Sequence, residues 1–334
     1  MSNFTAHAPG KIILFGEHAV VYGKPAIAVP VNQIRATVRV IPQPEGVTGP
    51  VRILAPGINL SCNLEKLNRD HPLAAVVGNV ISSLGVSHLP ACTIEITSTI
   101  PVAAGLGSGA AVSVAIIRAL GKFLGQPIAN EQVSALTYQI EKFHHGTPSG
   151  IDNTVITYAK PVYFVKQPPS PPNGRGAGGE GNENTIETFN IAKPFTIIIG
   201  DTGISSPTKA AVSDVRVARQ ADPARYERLF AAIGSITKTA RQSIESGRPQ
   251  RLGALMNENH ALLQEMGVSS PQLDQLVSAA CQAGALGAKL SGGGRGGNMI
   301  ALVREENAKL VCLAIRKAGA VNTITTEVRT HHPG

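Results

Sequence analysis

A glycine-rich turn is the segment of this sequence whose residue types and spacing best suit chemistry. Residues 101–113 read Pro-Val-Ala-Ala-Gly-Leu-Gly-Ser-Gly-Ala-Ala-Val-Ser, between the strand-like run 92–100 and a helical pattern. Glycines let the backbone approach an anion without interference from Cβ, and the first turn of a helix offers unpaired N–H groups and the positive end of its dipole. Gly105–Gly109 is therefore predicted to cradle phosphate, which indicates a protein that uses nucleotides.

Other interpretations of this turn are weaker. Its spacing also fits the Gly-x-Gly-x-x-Ala of a Rossmann dinucleotide site, with Ala110 last. That site needs a strand and then an acidic residue about 20 positions on, where this sequence predicts a second helix. A Walker P-loop requires a closing Gly-Lys-Ser or Gly-Lys-Thr, which the turn lacks. A simple tight turn stays open as the plain alternative.

A second polar cluster follows a Pro-Gly turn near the start of the chain. Lys11 stands next to this turn and directly before an apolar, strand-like run. Glu17 and His18 come directly after the run, where side chains at the end of a strand could project into a cleft. The plainer alternatives are a solvated lysine and a structural Glu-His pair.

A third cluster, Glu-Lys-Phe-His-His-Gly-Thr-Pro-Ser-Gly-Ile-Asp-Asn, covers residues 141–153. Glu141 lies in the last turn of a predicted helix, where the helix dipole disfavours a carboxylate unless a cation compensates it. A bound Mg²⁺ could be that cation, and so could a basic neighbour: Lys142, His144 or His145. Asp152 is either an ordinary turn aspartate or the base of a phosphoryl transfer, which needs an oriented hydroxyl, charge neutralisation and a proton acceptor.

Periodicity predicts the elements that position these residues. Alternating β-branched residues at 34–40 and 93–97 predict half-exposed strands of a mixed or antiparallel sheet. Apolar spacing predicts a helix over 110–124 and another over 131–143 that stops at Gly146 and Pro148. Further along, a strand at 195–199 precedes predicted helices at 207–220, 223–246, 248–266 and 271–283. A second glycine cluster, 291–298, lies between strand-like 287–290 and 299–303.

The chain is long enough for two domains. Its length is 334 residues, and single cores stop growing near about 250 residues. Residues 166–184 are so rich in Pro and Gly that they indicate a mobile loop or a linker. The predicted division is an N-terminal domain at 1–165, a flexible loop at 166–190 and a C-terminal domain at 191–334.

Composition narrows the class of protein. The net charge of +8 could favour nucleic acid, but no Lys/Arg cluster with interleaved aromatic residues occurs. Anionic, phosphorylated small molecules explain the charge at least as well, so no nucleic-acid partner is predicted. The four cysteines lie far apart without a Cys-x-x-Cys, which argues against zinc and against a disulfide framework. No signal segment and no long apolar run occur, so a cytoplasmic protein without a membrane span is predicted.

Three motifs in this order resemble the GHMP kinases, named for galactokinase, homoserine kinase, mevalonate kinase and phosphomevalonate kinase. Residues 9–18, Pro-Gly-Lys-Ile-Ile-Leu-Phe-Gly-Glu-His, are similar to the first motif of this family. Residues 101–111 resemble its phosphate loop, and residues 289–298 its glycine-rich third motif. Within the family, three segments are similar to the mevalonate kinase branch: 16–23, 145–153 and 256–269.

The resemblance implies an α+β fold with two lobes. The N-terminal, ATP-binding lobe would carry a left-handed βαβ unit, and the C-terminal lobe would be ferredoxin-like. The implied reaction uses ATP and Mg²⁺ and phosphorylates the C5 hydroxyl of mevalonate; a homodimer is one possible assembly. Two alternatives stay open: a different substrate, either another mevalonate derivative or a sugar, and a binding protein that keeps the fold but has lost the chemistry.

The resemblance also implies roles for individual residues. Asp152 would accept the proton of the substrate hydroxyl, while Lys11 orients that hydroxyl and holds Asp152 ionised. Glu141 and Ser108 would hold Mg²⁺. The substrate residues would be Glu17, His18 and Thr208. The ATP-binding residues would be Pro101, Ala104, Gly105, Leu106, Gly107, Ser108, Gly109 and Ala110.

Two positions depart from the family pattern. Gly109 replaces the second serine of the phosphate loop, which removes a hydroxyl that could bind Mg²⁺ or phosphate. If that serine is the metal ligand, then Ser108, Ser113 or water must substitute for it. Arg295 stands in the third motif where a small residue is usual. Its guanidinium could contact phosphate or point to solvent, and we favour solvent.

Overall fold

The fold is known from a computed structural model, which describes residues 4–44, 49–102, 104–145, 149–166, 184–205 and 208–330, without the side chains of 143–145. The chain forms two compact units that do not follow chain order. The first unit combines Met1–Lys11, Ile34–Val102 and Leu106–Ala159. The second combines Ile12–Gln33, Ala103–Gly105 and Lys160–Gly334.

The elements up to residue 158 belong mainly to the first unit. They are β1 (Phe4–Phe15), β2 (Pro25–Pro42), β3 (Arg52–Ala55), β4 (Leu60–Asn63), α1 (Pro72–Ser83), β5 (Cys92–Ser98), α2 (Ser108–Phe123), α3 (Asn130–His145) and α4 (Ile151–Tyr158). The strands β1 and β2 pair with each other and run through both units. Within the first unit the sheet order is β4-β3-β5-β2. Since β3 and β5 are parallel and the other neighbours in this order antiparallel, the predicted mixed sheet is confirmed.

The half-exposed strands of this sheet follow the alternation in the sequence. Ile94 and Ile96 of β5 are buried, while Thr93 and Glu95, which alternate with them, are partly exposed. They lie opposite Val40 and Val38 of β2 in an antiparallel register, and both valines are fully buried. A period of two thus places one apolar face of each strand in the core.

The two predicted helices after the glycine turn are confirmed as α2 and α3. Gly107 precedes α2 in the left-handed conformation, with φ 76°. Ala111, Val114 and Ala115 of α2 are among its fully buried residues. The predicted stop of the next helix, at residues 146 and 148, lies outside the described residues.

The second unit contains the remaining elements. They are β6 (Val162–Val165), β7 (Thr185–Thr188), β8 (Phe195–Asp201), α5 (Thr208–Ala221), α6 (Pro223–Glu245), α7 (Leu252–Glu265), α8 (Pro271–Gln282), β9 (Gly287–Ser291), β10 (Asn298–Val303), α9 (Ala308–Lys317) and β11 (Asn322–Val328). β6 pairs with both β2 and β7. A separate four-stranded antiparallel sheet has the order β11-β8-β10-β9.

This separate sheet has the ferredoxin-like arrangement that the resemblance implies. Its strands occur in the chain as β8, helices, β9, β10, α9 and β11, which is a β-α-β-β-α-β sequence with the first and third strands central. Its core is aliphatic with some aromatic residues, and Phe230, Leu263 and Leu290 are fully buried there. The α+β expectation is therefore confirmed, while the handedness of the βαβ unit stays a prediction.

Capping residues explain where two of the predicted helices start. The side chain of Asp222 accepts a hydrogen bond from the Arg225 N–H at the start of α6. Ser270 caps α8 in the same way, and a proline follows each cap at the first helical position. The other two, over 207–220 and 248–266, correspond to α5 and to a short 3₁₀ turn followed by α7.

The predicted loop at 166–190 falls mostly on residues outside the described ones, so the domain division stays a prediction. At its end Thr185–Thr188 forms β7, which is paired with β6. Among the residues that the structure describes, no helix is long and apolar enough to cross a bilayer.

Candidate functional site

The glycine turn is held against β1 in the first unit. The backbone N–H of Lys11 donates to the carbonyl of Leu106 at 2.9 Å. A Cβ added to Gly107 would lie 2.8 Å from Ile156 Cδ1 and 2.9 Å from Lys11 Cγ. A positive φ and the absence of space therefore both require glycine at this position. The close packing places the start of α2 directly beside the Lys11 side chain.

Lys11 and Asp152 form an ion pair at this turn. Lys11 Nζ lies 3.1 Å from Asp152 Oδ2, and the two side chains are 9% and 30% exposed. Asp152 is the second residue of α4, where the positive end of the helix dipole favours a carboxylate. Asp152 therefore lies in the first turn of a helix, with a lysine as its partner and part of its carboxylate open to a ligand.

Glu141 on α3 adds a second carboxylate to this pair. The pKa of Glu141 is raised to about 8, first by burial and then by the charge of Asp152, while Lys11 opposes both effects. Of the proposed basic neighbours, Lys142 is exposed, and the side chains of His144 and His145 lie outside those described. With both carboxylates ionised, the cluster would carry one excess negative charge, which a divalent cation would offset.

The donor set of the first unit fits Mg²⁺ bound partly by the protein. The Ser108 hydroxyl, in the first turn of α2, makes no hydrogen bond to any residue within the described ranges. In the same part of the chain, no group of three or more His, Cys, Asp or Glu side chains could hold a metal alone. Magnesium commonly takes one or two protein oxygens and completes its shell with phosphate and water. Glu141 and Ser108 offer such oxygens.

A different cluster of polar residues follows β1 in the second unit. Glu17 and Lys289 form an ion pair in which both side chains are 0% exposed. Lys289 lies on β9 between two buried apolar residues, and its Nζ also donates to the Leu290 carbonyl at 2.6 Å. Burial lowers the pKa of Lys289, and the charge of Glu17 opposes this shift.

His18 is held as a neutral imidazole beside the third glycine motif. Its Nε2 lies 3.0 Å from the carbonyl oxygen of Gly293, so Nε2 carries the proton and Nδ1 is left as an acceptor. The pKa of His18 is lowered to about 4, mainly by burial and also by the charge of Arg295, while the hydrogen bond to Gly293 opposes the shift. Nδ1 is buried and has no hydrogen-bond partner among the described residues.

Thr208 meets the same glycine. It is the first residue of α5, and a Cβ added to Gly293 would lie 2.9 Å from Thr208 Oγ1. Two of the three predicted substrate residues, His18 and Thr208, therefore both lie next to Gly293 in the second unit.

Arg295 is exposed, as expected, but it is not simply solvated. Its guanidinium forms an ion pair with Asp214 of α5, and its backbone N–H donates to the Val268 carbonyl at 2.9 Å. The backbone of Arg295 is left-handed, with φ 59°. This pair between two exposed side chains fixes the outer part of the glycine turn to α5.

Comparison with known proteins identifies the family of this chain. The family of GHMP kinases N terminal domains matches residues 72–160, and the family of GHMP kinases C terminal domains matches residues 240–321. A protein of Thermococcus gammatolerans described as mevalonate kinase is 37% identical, over 96% of this chain and 95% of its own. The chain belongs to the GHMP kinase family.

Solved structures of GHMP kinases have the same fold over the whole chain. The L. major mevalonate kinase in complex with R-mevalonate is 29% identical, with a TM-score of 0.80 over 98% of this chain and 96% of that chain. The Methanococcus jannaschii mevalonate kinase is 25% identical, with a TM-score of 0.81 and 99% of both chains covered.

The phosphate-loop residues expected from the GHMP kinase resemblance differ in exposure. Leu106 and Ala110 are buried, so their side chains anchor the loop and only their backbone can meet a ligand. The others are half-buried or exposed: Pro101, Ala104, Gly105, Gly107, Ser108 and Gly109. A Cβ added to Gly109 would meet no atom within 4 Å. The family serine would therefore fit at this position without any rearrangement.

Two residues of this GHMP kinase were missed by sequence reasoning. Lys289 pairs with Glu17, and the buried Asn298 donates through Nδ2 to the Ala104 carbonyl of the phosphate loop. Lys289 had a sequence signal, because a lysine between Ala288 and Leu290 interrupts an apolar strand. Asn298 had none, since a polar residue after a glycine run is ordinary turn chemistry.

Proposed function

We propose that the protein is a mevalonate kinase, which transfers the γ-phosphoryl group of ATP to the C5 hydroxyl of mevalonate. The observation that carries this proposal is the partly exposed Lys11–Asp152 ion pair beside the glycine turn. The named relatives support the substrate. The presence of a lysine and two carboxylates argues against a binding protein that has lost the chemistry.

Asp152 acts as the proton acceptor in this proposal. As the oxygen of the C5 hydroxyl bonds to phosphorus, the bond from phosphorus to the leaving oxygen of ADP breaks and the hydroxyl proton moves to the Asp152 carboxylate. Lys11, 3.1 Å from that carboxylate, pairs with it and orients the hydroxyl. General base catalysis of this kind contributes about 10²- to 10⁴-fold.

The glycine turn binds the nucleotide in this proposal. The N–H groups of Gly105–Gly109 and the N-terminus of α2 stabilise the phosphate charge. Glu141 and Ser108 would hold Mg²⁺, which supplies charge neutralisation at the β- and γ-phosphates when bound. The raised pKa of Glu141 without metal is consistent with a carboxylate that a cation compensates.

We assign mevalonate binding in the second unit to His18 and Thr208, and to Glu17 through the turn that it holds rather than by direct contact, because its side chain is 0% exposed. The unpartnered Nδ1 of neutral His18 is a hydrogen-bond acceptor that suits a substrate hydroxyl. Thr208 offers a donor beside the same glycine. A cytoplasmic location and a homodimer stay predictions from the sequence.

ADP release from MgATP tests the proposal. The protein is assayed with mevalonate, 5-phosphomevalonate, galactose and homoserine, and NMR locates the new phosphate ester. Turnover on mevalonate with phosphate on C5 is expected. Turnover on 5-phosphomevalonate or galactose instead would favour the alternative, a GHMP kinase for another mevalonate derivative or a sugar.

A further inference from the structure

The buried Glu17–Lys289 pair is a costly feature that the proposed reaction does not use. Taking two charges out of water costs free energy that their attraction often only offsets, so such a pair is weak evidence for stability. An apolar pair of similar size could fill the same space. The two charges must therefore serve to position neighbouring groups.

β9 holds the turn after β1 through alternate residues. Side chains two positions apart on a strand project from the same face. Ser291 Oγ donates to the Ile13 carbonyl at 2.7 Å, and Lys289 pairs with Glu17. The end of β1 and the turn that follows it are therefore both fastened to β9.

The backbone of this turn requires glycine at position 16 and is strained at His18, which needs such support. Gly16 has φ +97°, and a Cβ there would lie 2.4 Å from the Cα of Ala26. His18 has φ 59°, in the left-handed region that residues other than glycine rarely adopt. Strained residues persist when the surroundings determine their conformation. Glu17 lies between these two residues, and Lys289 fixes its side chain.

We propose that Lys289 is a positioning residue that acts through Glu17: the buried pair sets the turn that aims the His18 imidazole, and thereby sets the affinity for mevalonate. This inference rests on the proposed function only for the identity of the substrate. His18 is held at its other end by the Gly293 carbonyl. Moving the Glu17 end of the turn therefore rotates the imidazole about a fixed contact.

Three variants separate positioning from stability: Lys289→Met, Glu17→Gln and the double variant. Lys289→Met leaves a buried carboxylate without its cation, so we expect its Tm to fall by about 10 °C. The double variant removes both charges and should regain most of that loss. We expect the KM for mevalonate to rise about tenfold in Lys289→Met and to stay raised in the double variant, with the KM for ATP within about twofold of wild type.

A matched control separates these effects from general loosening of the second unit. Val311 on α9 is fully buried, so Val311→Ala lowers Tm by creating a cavity. Its KM for mevalonate should equal that of the wild type. A KM that returns to normal in the double variant together with Tm would overturn the proposal, because the pair would then serve stability alone.

A readout without substrate keeps this test independent of the proposed function. In ¹³C-histidine-labelled protein, the His18 ring resonance, assigned with His18→Gln, should shift in Lys289→Met and in the double variant but not in Val311→Ala. An unchanged His18 resonance would also overturn the proposal. If the wild type does not phosphorylate mevalonate, the proposed function fails while this resonance still decides the role of Lys289.

Discussion

Each unit of the molecule contains a lysine–carboxylate pair, and the two pairs differ in their access to solvent. Lys11 and Asp152 are 9% and 30% exposed, whereas Lys289 and Glu17 are both 0% exposed. Lys11–Asp152 is an open pair, which can release its carboxylate to a ligand and receive a proton. Lys289–Glu17 is a sealed pair, which cannot be separated without leaving an unpaired charge in a low-dielectric environment. A lysine–carboxylate pair is therefore suited to proton transfer in the first unit and to holding the backbone in position in the second.

The neighbours of the two pairs differ in the same sense. Beside the open pair lies Glu141, a second carboxylate whose pKa is raised to about 8, so its charged form is disfavoured unless a cation binds beside it. Beside the sealed pair lie the Leu290 carbonyl, which accepts from Lys289, and the ring of Phe15, 5.9 Å from Lys289 Nζ. The sealed cluster is electrically neutral by itself, which suits a permanent part of the fold.

The largest expected effect tests the open pair. Asp152→Asn should lower kcat about 10³-fold, about 4 kcal/mol, because the amide cannot accept the proton. The Kd for ATP should change less than about threefold, since the base acts on the acceptor, and Tm should change by only a few degrees because Asp152 is partly solvated. Steady-state kinetics, nucleotide titration and thermal melts measure the three quantities. Near-normal turnover would show that Asp152 is not the base, and the two pairs would then not differ in function.

A smaller effect tests how the open pair is packed. Gly107→Ala forces a Cβ to within 2.9 Å of Lys11 Cγ at φ +76°, so we expect a loss of about 3 kcal/mol in the free energy of unfolding. Displacement of Lys11 and of the phosphate loop should also raise the KM for ATP about tenfold. Denaturant unfolding and kinetics measure both.

Gly109→Ala is the matched control for that variant. It has open space and no positive φ, so it should gain about 0.5 kcal/mol from helix propensity. If both alanine variants behave alike, the steric account of the turn is wrong.

The local parts of this architecture could be predicted from the sequence, and the long-range contacts could not. The glycine turn, its helix and the alternating strands depend on periodicity and backbone freedom within short segments. The sealed pair joins residues 17 and 289, and no local pattern specifies which distant carboxylate a buried lysine meets. The helix α4 was missed because Ile151–Tyr158 is rich in β-branched residues, which have weak helix propensity. Packing in the first unit decides its conformation.

The pH dependence of stability tests the conformation of the turn that contains Glu17 and His18. The pKa of His18 is about 4 in the folded protein, against 6.5 for a free imidazole. Between these values the unfolded chain binds a proton that the folded chain does not, so stability falls as the pH is lowered through this range. From pH 7 to pH 5 we expect His18 to account for a loss of about 2 kcal/mol.

His18→Gln isolates this contribution, because glutamine keeps an N–H donor for the Gly293 carbonyl but does not titrate. His260, which is also buried and has a lowered pKa, is present in both proteins and cancels in the comparison. Denaturant unfolding at several pH values should therefore give a flatter profile for the variant. Parallel profiles would mean that His18 is not held neutral by the turn.

The smallest expected effect concerns Gly109, which stands where the family pattern has a serine. Gly109→Ser adds a hydroxyl into open space, in the first turn of α2, and should gain up to about 0.5 kcal/mol of stability over glycine. If Ser108 already supplies the hydroxyl for Mg²⁺, the half-saturating Mg²⁺ concentration should change less than about threefold, while Ser108→Ala should raise it several-fold. Gly109→Ala separates helix propensity from the hydroxyl. If Gly109→Ser needs at least tenfold less Mg²⁺ than the wild type, the hydroxyl that binds the metal belongs at position 109 and not at position 108. The open cluster of Lys11, Asp152 and Glu141 would then lack a ligand, whereas the two charges of the sealed pair are already partnered by each other.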